Sequence, residues 1–225
     1  MDAPSMDNPD PGTPPAVVQA QGLARRILDG DRNSHDWEHT WRVYRLCCDL
    51  GPREGADLTV LRVAALLHDI GRRDEDASRG AVCHAERGAA LAGGLLADMP
   101  LTDAQKANVR HCVHAHRFRR EPHPETVEAR VLFDADKLDA IGAVGIARAY
   151  QFAGEIGARL HNAARDLRHT RPYSREDTGY REYQVKLRHI KDRMLTAAGR
   201  RAAEQRHRFM VRFFERFLEE IEGHR

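Results

Sequence analysis

The sequence predicts an all-α protein, a bundle of helices around a buried polar centre, and three observations carry that expectation. Apolar residues recur at helical spacing along most of the chain. Repeated period-two strands and hairpin turns are absent. One apolar helical run, Ala64-Ala65-Leu66-Leu67, ends in adjacent His68 and Asp69 before Ile70-Gly71-Arg72. An imidazole and a carboxylate side by side on a buried helix end lose their hydration unless something binds them, and a metal ion is a suitable partner.

Taken in order, Met1 to Pro15 is rich in Asp and Pro and is expected to be a flexible leader. It lacks the positive start and apolar core of a secretory signal. Val17, Val18, Leu23, Ala24, Ile27 and Leu28 predict a first helix over 16–28, closed by Asp29-Gly30. A second is predicted over 36–50, with Val43, Leu46 and Cys47 inward and Gly51-Pro52 as its stop; His39 shares that inward face. A third runs over 57–68, followed by a charged loop at Arg72-Arg73-Asp74-Glu75-Asp76. Glu86 to Leu96 reads as a small-residue helix, and Thr102 caps another that reaches His116. Beyond the Arg117 to Pro124 loop, Glu125 begins a long helix through Val127, Val131, Leu132, Leu138 and Ile141 that contains Asp136. Gly142 and Gly145, each disfavoured in a helix by about 1 kcal/mol relative to Ala, point to close packing or a bend. The polar stretch 164–179 is expected to be a long mobile loop, of the kind that often serves as a lid. Helices over 182–194 and 199–221 end the chain, the last with a stripe of Phe209, Met210, Phe213, Phe214 and Phe217 suited to core or subunit packing, so a homodimer is an open expectation.

Composition narrows the function classes. A chain of 225 residues, 41% hydrophobic and 31% charged, can bury one sizeable core and is neither disordered nor membrane-embedded in character. One domain over 16–225 is expected. A net charge of +2 and the lack of basic-aromatic interleaving argue against a nucleic-acid partner. No apolar run approaches the roughly 20 residues that span a bilayer, so no membrane partner is expected and the default location is the cytoplasm. Cys47, Cys48, Cys83 and Cys112 form no CxxC pair and are expected to be reduced thiols.

His39, His68 and Asp69 offer ligands on inward faces, and one later helix presents Asp134, Asp136 and Asp139. Imidazoles combined with carboxylates suit a borderline divalent cation rather than calcium. Manganese is favoured, with iron, cobalt, nickel, zinc or magnesium as alternatives. Phosphate, if it is the substrate group, needs cations nearby: Arg42 lies three residues after His39, Arg72 follows the His-Asp pair, and Lys137 adjoins Asp136.

The order His39, His68-Asp69, Asp136, set in the strings HDWEHTWRV, LLHDIGR and DADKLDAIGA, resembles the HD-domain superfamily of metal-dependent phosphohydrolases. The likeness is to a small single-domain bacterial branch that includes nucleoside triphosphate pyrophosphohydrolases. It runs from Ser34 to Gly145, with a weaker echo in Lys186-Leu187, Asp192-Arg193-Met194 and Arg206 to Met210. The resemblance implies an HD helical bundle whose core holds one metal ion through His39, His68, Asp69 and Asp136, with His68 and Asp69 catalytic and Asp69 also accepting the proton of the attacking water. Asp136 is chosen over Asp134 and Asp139 by that match, which leaves Asp139 supporting and Asp134 structural. His84-Ala85-Glu86-Arg87-Gly88-Ala89 resembles the HxxxGA string of two-metal members. With His116, His84 would then hold a second metal bridged by Asp69, or else contact phosphate; His111 and His114 are supporting or surface residues. The implied substrate is a small nucleotide, with pyrophosphate released from a nucleoside or deoxynucleoside triphosphate. A nucleoside 5′-monophosphate phosphatase, a cyclic-nucleotide phosphodiesterase and a metal-dependent nucleotide sensor are the alternatives. Hydrolysis of the guanosine alarmone is disfavoured, because Leu138-Asp139-Ala140 stands where those enzymes carry a His-Asn pair.

Overall fold

The computed structural model describes residues 12–28, 37–117, 122–162, 167 and 169–224, and among them every regular element is helical. The chain divides into two compact units, residues 1–136 and 137–225.

The first unit contains α1 (Pro15–Leu28), α2 (Trp37–Glu54), α3 (Leu58–Leu67), α4 (Arg72–Ala77), α5 (His84–Leu95), α6 (Asp103–Ala115) and most of α7 (Val127–Asp139). At its centre lies α3, packed against α1, α2 and α6. Val60, Leu61, Val63, Ala64, Ala65, Leu66 and Leu67 are all buried, so this helix has lost any solvent face over its second half. Each fully buried Leu there contributes roughly 1.5–3 kcal/mol relative to exposure. α5 packs on α4 and α6, and its small residues Ala85, Gly88, Ala89 and Ala92 form the buried side.

Polar caps tie the starts of three helices together. Asp57, the N-cap of α3, accepts from the backbone N–H groups of Thr59 and Val60 at 2.9 and 3.2 Å, and its other oxygen accepts from Gln105 Nε2 at 2.9 Å. Its own N–H donates to Glu128 Oε1 at 2.7 Å, and Glu128 Oε2 accepts from Asn108 at 2.9 Å. Thr102 and Gln105 form the capping box of α6. Thr102→Ala is expected to lower stability by about 1 kcal/mol. Urea unfolding should show a lower midpoint at unchanged slope, and an unchanged midpoint would contradict the cap.

The second unit contains α8 (Gly142–Glu155), α9 (Gly179–Val185), a 3-10 helix (Leu187–Arg193) and α10 (Ala197–Ile221). α10 packs on α8 and on the 3-10 helix, and α8 on α9. Phe214 is buried and stacks on Tyr183 with centroids 4.3 Å apart, while Phe213 stacks on Phe217. Phe209, expected in the same stripe, is 41% exposed. Arg206 donates through Nη1 to the carbonyl of Leu138 at 2.5 Å, satisfying an acceptor at the end of α7.

Several expected boundaries move. α2 continues past Gly51-Pro52 to Glu54, because burial of Leu50 and Gly51 keeps the last turn wound despite the proline. The charged segment expected as a loop is the short helix α4, held from within by Arg72 pairing with Glu75 one turn on. The single long helix expected from Glu125 to Ile141 begins at Val127 and stops at Asp139; Gly142, at φ +80°, turns the chain into α8, which the reading of the sequence did not anticipate. The helix expected over 182–194 is α9 followed by 3-10 turns, the break falling at Lys186. Of the expected leader, residues 1–11 lie outside the described residues, as do 164–166 and 168 of the expected loop. The rest of that loop is stapled rather than open: Arg181 donates to Asp177 Oδ1 at 2.7 Å and to the Thr170 carbonyl at 2.9 Å, and Asp177 Oδ2 accepts from the Tyr173 N–H at 2.7 Å. The four cysteines are free thiols, as expected.

Candidate metal centre

Helix ends of the first unit place most of the polar side chains that the sequence singled out. His68 and His116 sit at the C-caps of α3 and α6, His84 opens α5, and Asp69 follows His68. His39 and Asp136 come from within α2 and α7. All six are buried except Asp136, whose side chain is 14% exposed.

The end-of-helix positions orient the rings. A C-terminal helical carbonyl has no N–H partner within its helix. His68 Nδ1 lies 2.8 Å from the Ala65 carbonyl and His116 Nδ1 lies 2.6 Å from that of Val113, so each ring donates there. His84 Nδ1 lies 2.6 Å from Glu75 Oε2 and donates to it. With the proton assigned to Nδ1 by these acceptors, each Nε2 presents a lone pair inward. Burial pushes His68 down to about 4 and His84 down to about 3, which keeps both rings neutral at physiological pH.

Asp69 stands between two groups. Its Oδ2 lies 3.6 Å from His68 Nε2 and 3.7 Å from His39 Nε2, and His39 Nε2 is in turn 3.4 Å from Asp136 Oδ1 and 3.3 Å from His68 Nε2. Its Oδ1 lies 3.5 Å from both His84 Nε2 and His116 Nε2, which are 3.1 Å apart. The ligand atoms of His39, His68 and Asp136 all fall within 4.8 Å of one another, as do those of Asp69, His84 and His116. Lone pairs and carboxylate oxygens packed this closely in a buried site repel one another unless a cation lies among them. Two imidazoles with two carboxylates form a donor set that a divalent cation fits.

Arg42 and Lys137 share α2 and α7 with His39 and Asp136. Arg42 is partly buried and faces Glu38 at 3.9 Å. Lys137 follows Asp136 on α7 and is partly buried. Arg72 turns inward: Nη2 lies 3.0 Å from Asp69 Oδ1 and 3.1 Å from His84 Nε2, and Nη1 donates to Glu75 Oε2 at 2.7 Å. Asp139 is buried and accepts from Arg148 at 2.6 Å. His111 accepts from the Glu125 N–H at 3.0 Å, a supporting role, and His114 is partly buried in the last turn of α6.

Two residues of the centre escaped the reading of the sequence. Glu75 is buried and receives His84 and Arg72 on one oxygen and Arg117, at 2.8 Å, on the other. Burial alone would raise its carboxyl, yet His84, Arg72 and Arg117 hold it below the ordinary value. Arg117, at the start of the loop expected after His116, also donates to Cys83 Sγ. The three-residue spacing of Arg72 and Glu75 was a usable signal only once that segment was known to be helical.

All six inward-facing residues lie within 36–141, the stretch that matches the HD domain family. Over 213 residues the chain is 33% identical to YpgQ of Bacillus subtilis (strain 168), described as uncharacterized, a match spanning 91% of this chain and 93% of that protein. This chain belongs to the HD domain family. A crystal structure of Bacillus subtilis YpgQ in complex with ADP is similar to it at a TM-score of 0.70 and 31% identity, covering 91% of this chain and 94% of that one. A crystal structure of an HD-superfamily hydrolase from Bacillus thuringiensis is similar at a TM-score of 0.71 and 28% identity, covering 92% and 96%. The HD-domain chain is thus a hydrolase of the metal-dependent phosphohydrolase class. Among its described residues no helix is long and apolar enough to cross a membrane.

Proposed function

We propose that this HD-domain protein hydrolyses nucleoside or deoxynucleoside triphosphates to the monophosphate and pyrophosphate. The observation that carries the reading is the Asp69 carboxylate, buried, with one oxygen turned to His39 and His68 and the other to His84 and His116. The complex of YpgQ with ADP supports a small nucleotide as the ligand. His39, His68, Asp69 and Asp136 would hold the cation, with manganese favoured. Bound there, a divalent ion supplies Lewis acidity toward phosphate oxygen and lowers the pKa of water.

The chain's own residues do the rest. Water attacks the α-phosphorus, the bond from that phosphorus to the bridging oxygen breaks, and pyrophosphate leaves with the electron pair. The water proton passes to a carboxylate oxygen of Asp69, which faces both histidine pairs. Ala65 fixes His68 through its carbonyl, so the ring cannot turn its Nε2 away. Arg42 and Lys137 are the cations assigned to the phosphate chain. Their guanidinium and ammonium groups offset charge that builds on the leaving oxygens. A cytoplasmic location agrees with this chemistry.

The test is a screen of ribo- and deoxyribonucleotides in Mn2+ buffer, with pyrophosphate and orthophosphate measured separately. Pyrophosphate release from triphosphates, abolished by chelator, is the expected result. Orthophosphate from 5′-monophosphates alone, or ring opening of cyclic nucleotides alone, would replace this reading with a phosphatase or a phosphodiesterase. Nucleotide binding with no turnover in any metal would make the protein a sensor.

A further inference from the structure

The two groups of side chains around Asp69 differ in one respect. Among His84, His116 and Asp69 Oδ1 a positive charge is already in place, supplied by the protein. His84 Nε2 and His116 Nε2 both present lone pairs, because each ring gives its proton on Nδ1 elsewhere, and they lie 3.1 Å apart. Two lone pairs and a carboxylate oxygen at that separation need a cationic donor. Arg72 Nη2 is that donor, closest to Asp69 Oδ1 at 3.0 Å and to His84 Nε2 at 3.1 Å, with Asp69 Oδ2 farther off at 3.4 Å.

The arginine is also held from behind. Glu75 Oε2 accepts from Arg72 Nη1 at 2.7 Å and from His84 Nδ1 at 2.6 Å, so one carboxylate oxygen fixes both the guanidinium and the ring it touches. Glu75 Oε1 is held by Arg117 at 2.8 Å. The side chain of Arg72 is only 16% exposed. Moving it out would leave Glu75 and Asp69 each short of a charged partner in a buried site.

We propose that Arg72, positioned by Glu75, is a built-in cation that occupies the place of a second metal ion, so that the chain binds a single divalent ion, at His39, His68, Asp69 and Asp136. The inference rests on the metal reading of that first group and not on the identity of the nucleotide. A second ion beside His84 and His116 would have to share Asp69 Oδ1 with a positive guanidinium and would be repelled by it. Arg72→Met removes the charge and keeps an apolar stem of similar reach, which opens Asp69 Oδ1, His84 and His116 as a complete set of three ligands.

The experiment counts metal on the full-length chain. Metal-free protein is titrated with Mn2+, bound metal is measured calorimetrically and by elemental analysis, and the electron paramagnetic resonance spectrum is recorded at saturation. The wild-type chain is expected to bind about one equivalent and to show the hyperfine pattern of an isolated Mn2+ ion. Arg72→Met is expected to bind about two, with that pattern broadened by coupling through the shared Asp69 carboxylate. Should the methionine variant fail to fold by circular dichroism, Arg72→Gln is measured in its place with the same expectation. Two equivalents in the wild-type chain, or one in the folded variant, would overturn the role of Arg72 and leave the hydrolase reading standing. No bound metal in either would overturn both.

Discussion

Asp69→Ala is expected to abolish metal-dependent turnover, by at least about a thousandfold, while leaving the helical fold intact. Asp69 is the residue that His39, His68, His84 and His116 all face within 3.7 Å, so its removal dismantles both groups at once. It also takes away the proposed proton acceptor. The fold should survive, because Asp69 lies past the end of α3 and the apolar contacts of that helix are made by Val60 to Leu67. Arg72, deprived of Asp69, keeps its ion pair with Glu75. Thermal unfolding separates the two effects. The wild-type midpoint should rise on adding Mn2+ by linkage, and the variant's should not, with the metal-free midpoints close together. Turnover by Asp69→Ala in Mn2+-replete buffer at more than a few per cent of wild type would sink the assignment of this carboxylate.

The centre was readable from the sequence to the extent that order along the chain implies convergence in space. His39 could be placed on the buried face of its helix because Val43 and Leu46 share that face. His68 and Asp69 could be placed at a helix end because an apolar run stops there. The division of labour between the two oxygens of Asp69 was not readable, since it depends on how α3, α5 and α6 cross, and periodicity within a helix says nothing of that. Glu75 and Arg117 were hidden for a related reason. Both sit in charged segments whose ordinary fate is a solvated surface, and only the helix α4 turns Glu75 inward. Helix ends were misjudged where local rules met tertiary packing. Pro52 is a sound stop signal, but burial of the residues before it kept α2 wound to Glu54. Gly142 was rightly suspected of a bend, and its positive φ separates two helices instead of curving one.

Gly71 provides the most exacting test of how the centre is built, because its role is space. Its own backbone, at φ −88° and ψ 1°, is open to any residue, so conformational strain is not at issue. A Cβ built there would lie 2.4 Å from the His84 carbonyl oxygen and 2.6 Å from the Gly88 nitrogen, both backbone atoms of α5. Neither can rotate aside, so the start of α5 must shift away from the turn that carries His68 and Asp69. Gly71→Ala is expected to cost about 3 kcal/mol of stability and, through the displacement of His84 from Asp69, to lower turnover in the folded protein about a hundredfold. Gly94→Ala, on α5 itself, is the matching control, where a Cβ meets nothing within 4 Å. There the gain in helix propensity should stabilise the chain by up to about 1 kcal/mol with turnover unchanged. Urea unfolding and steady-state assays of the two variants therefore predict opposite signs from one chemical change. Equal midpoints for both would mean that the approach of α5 to Gly71 does not set the position of His84.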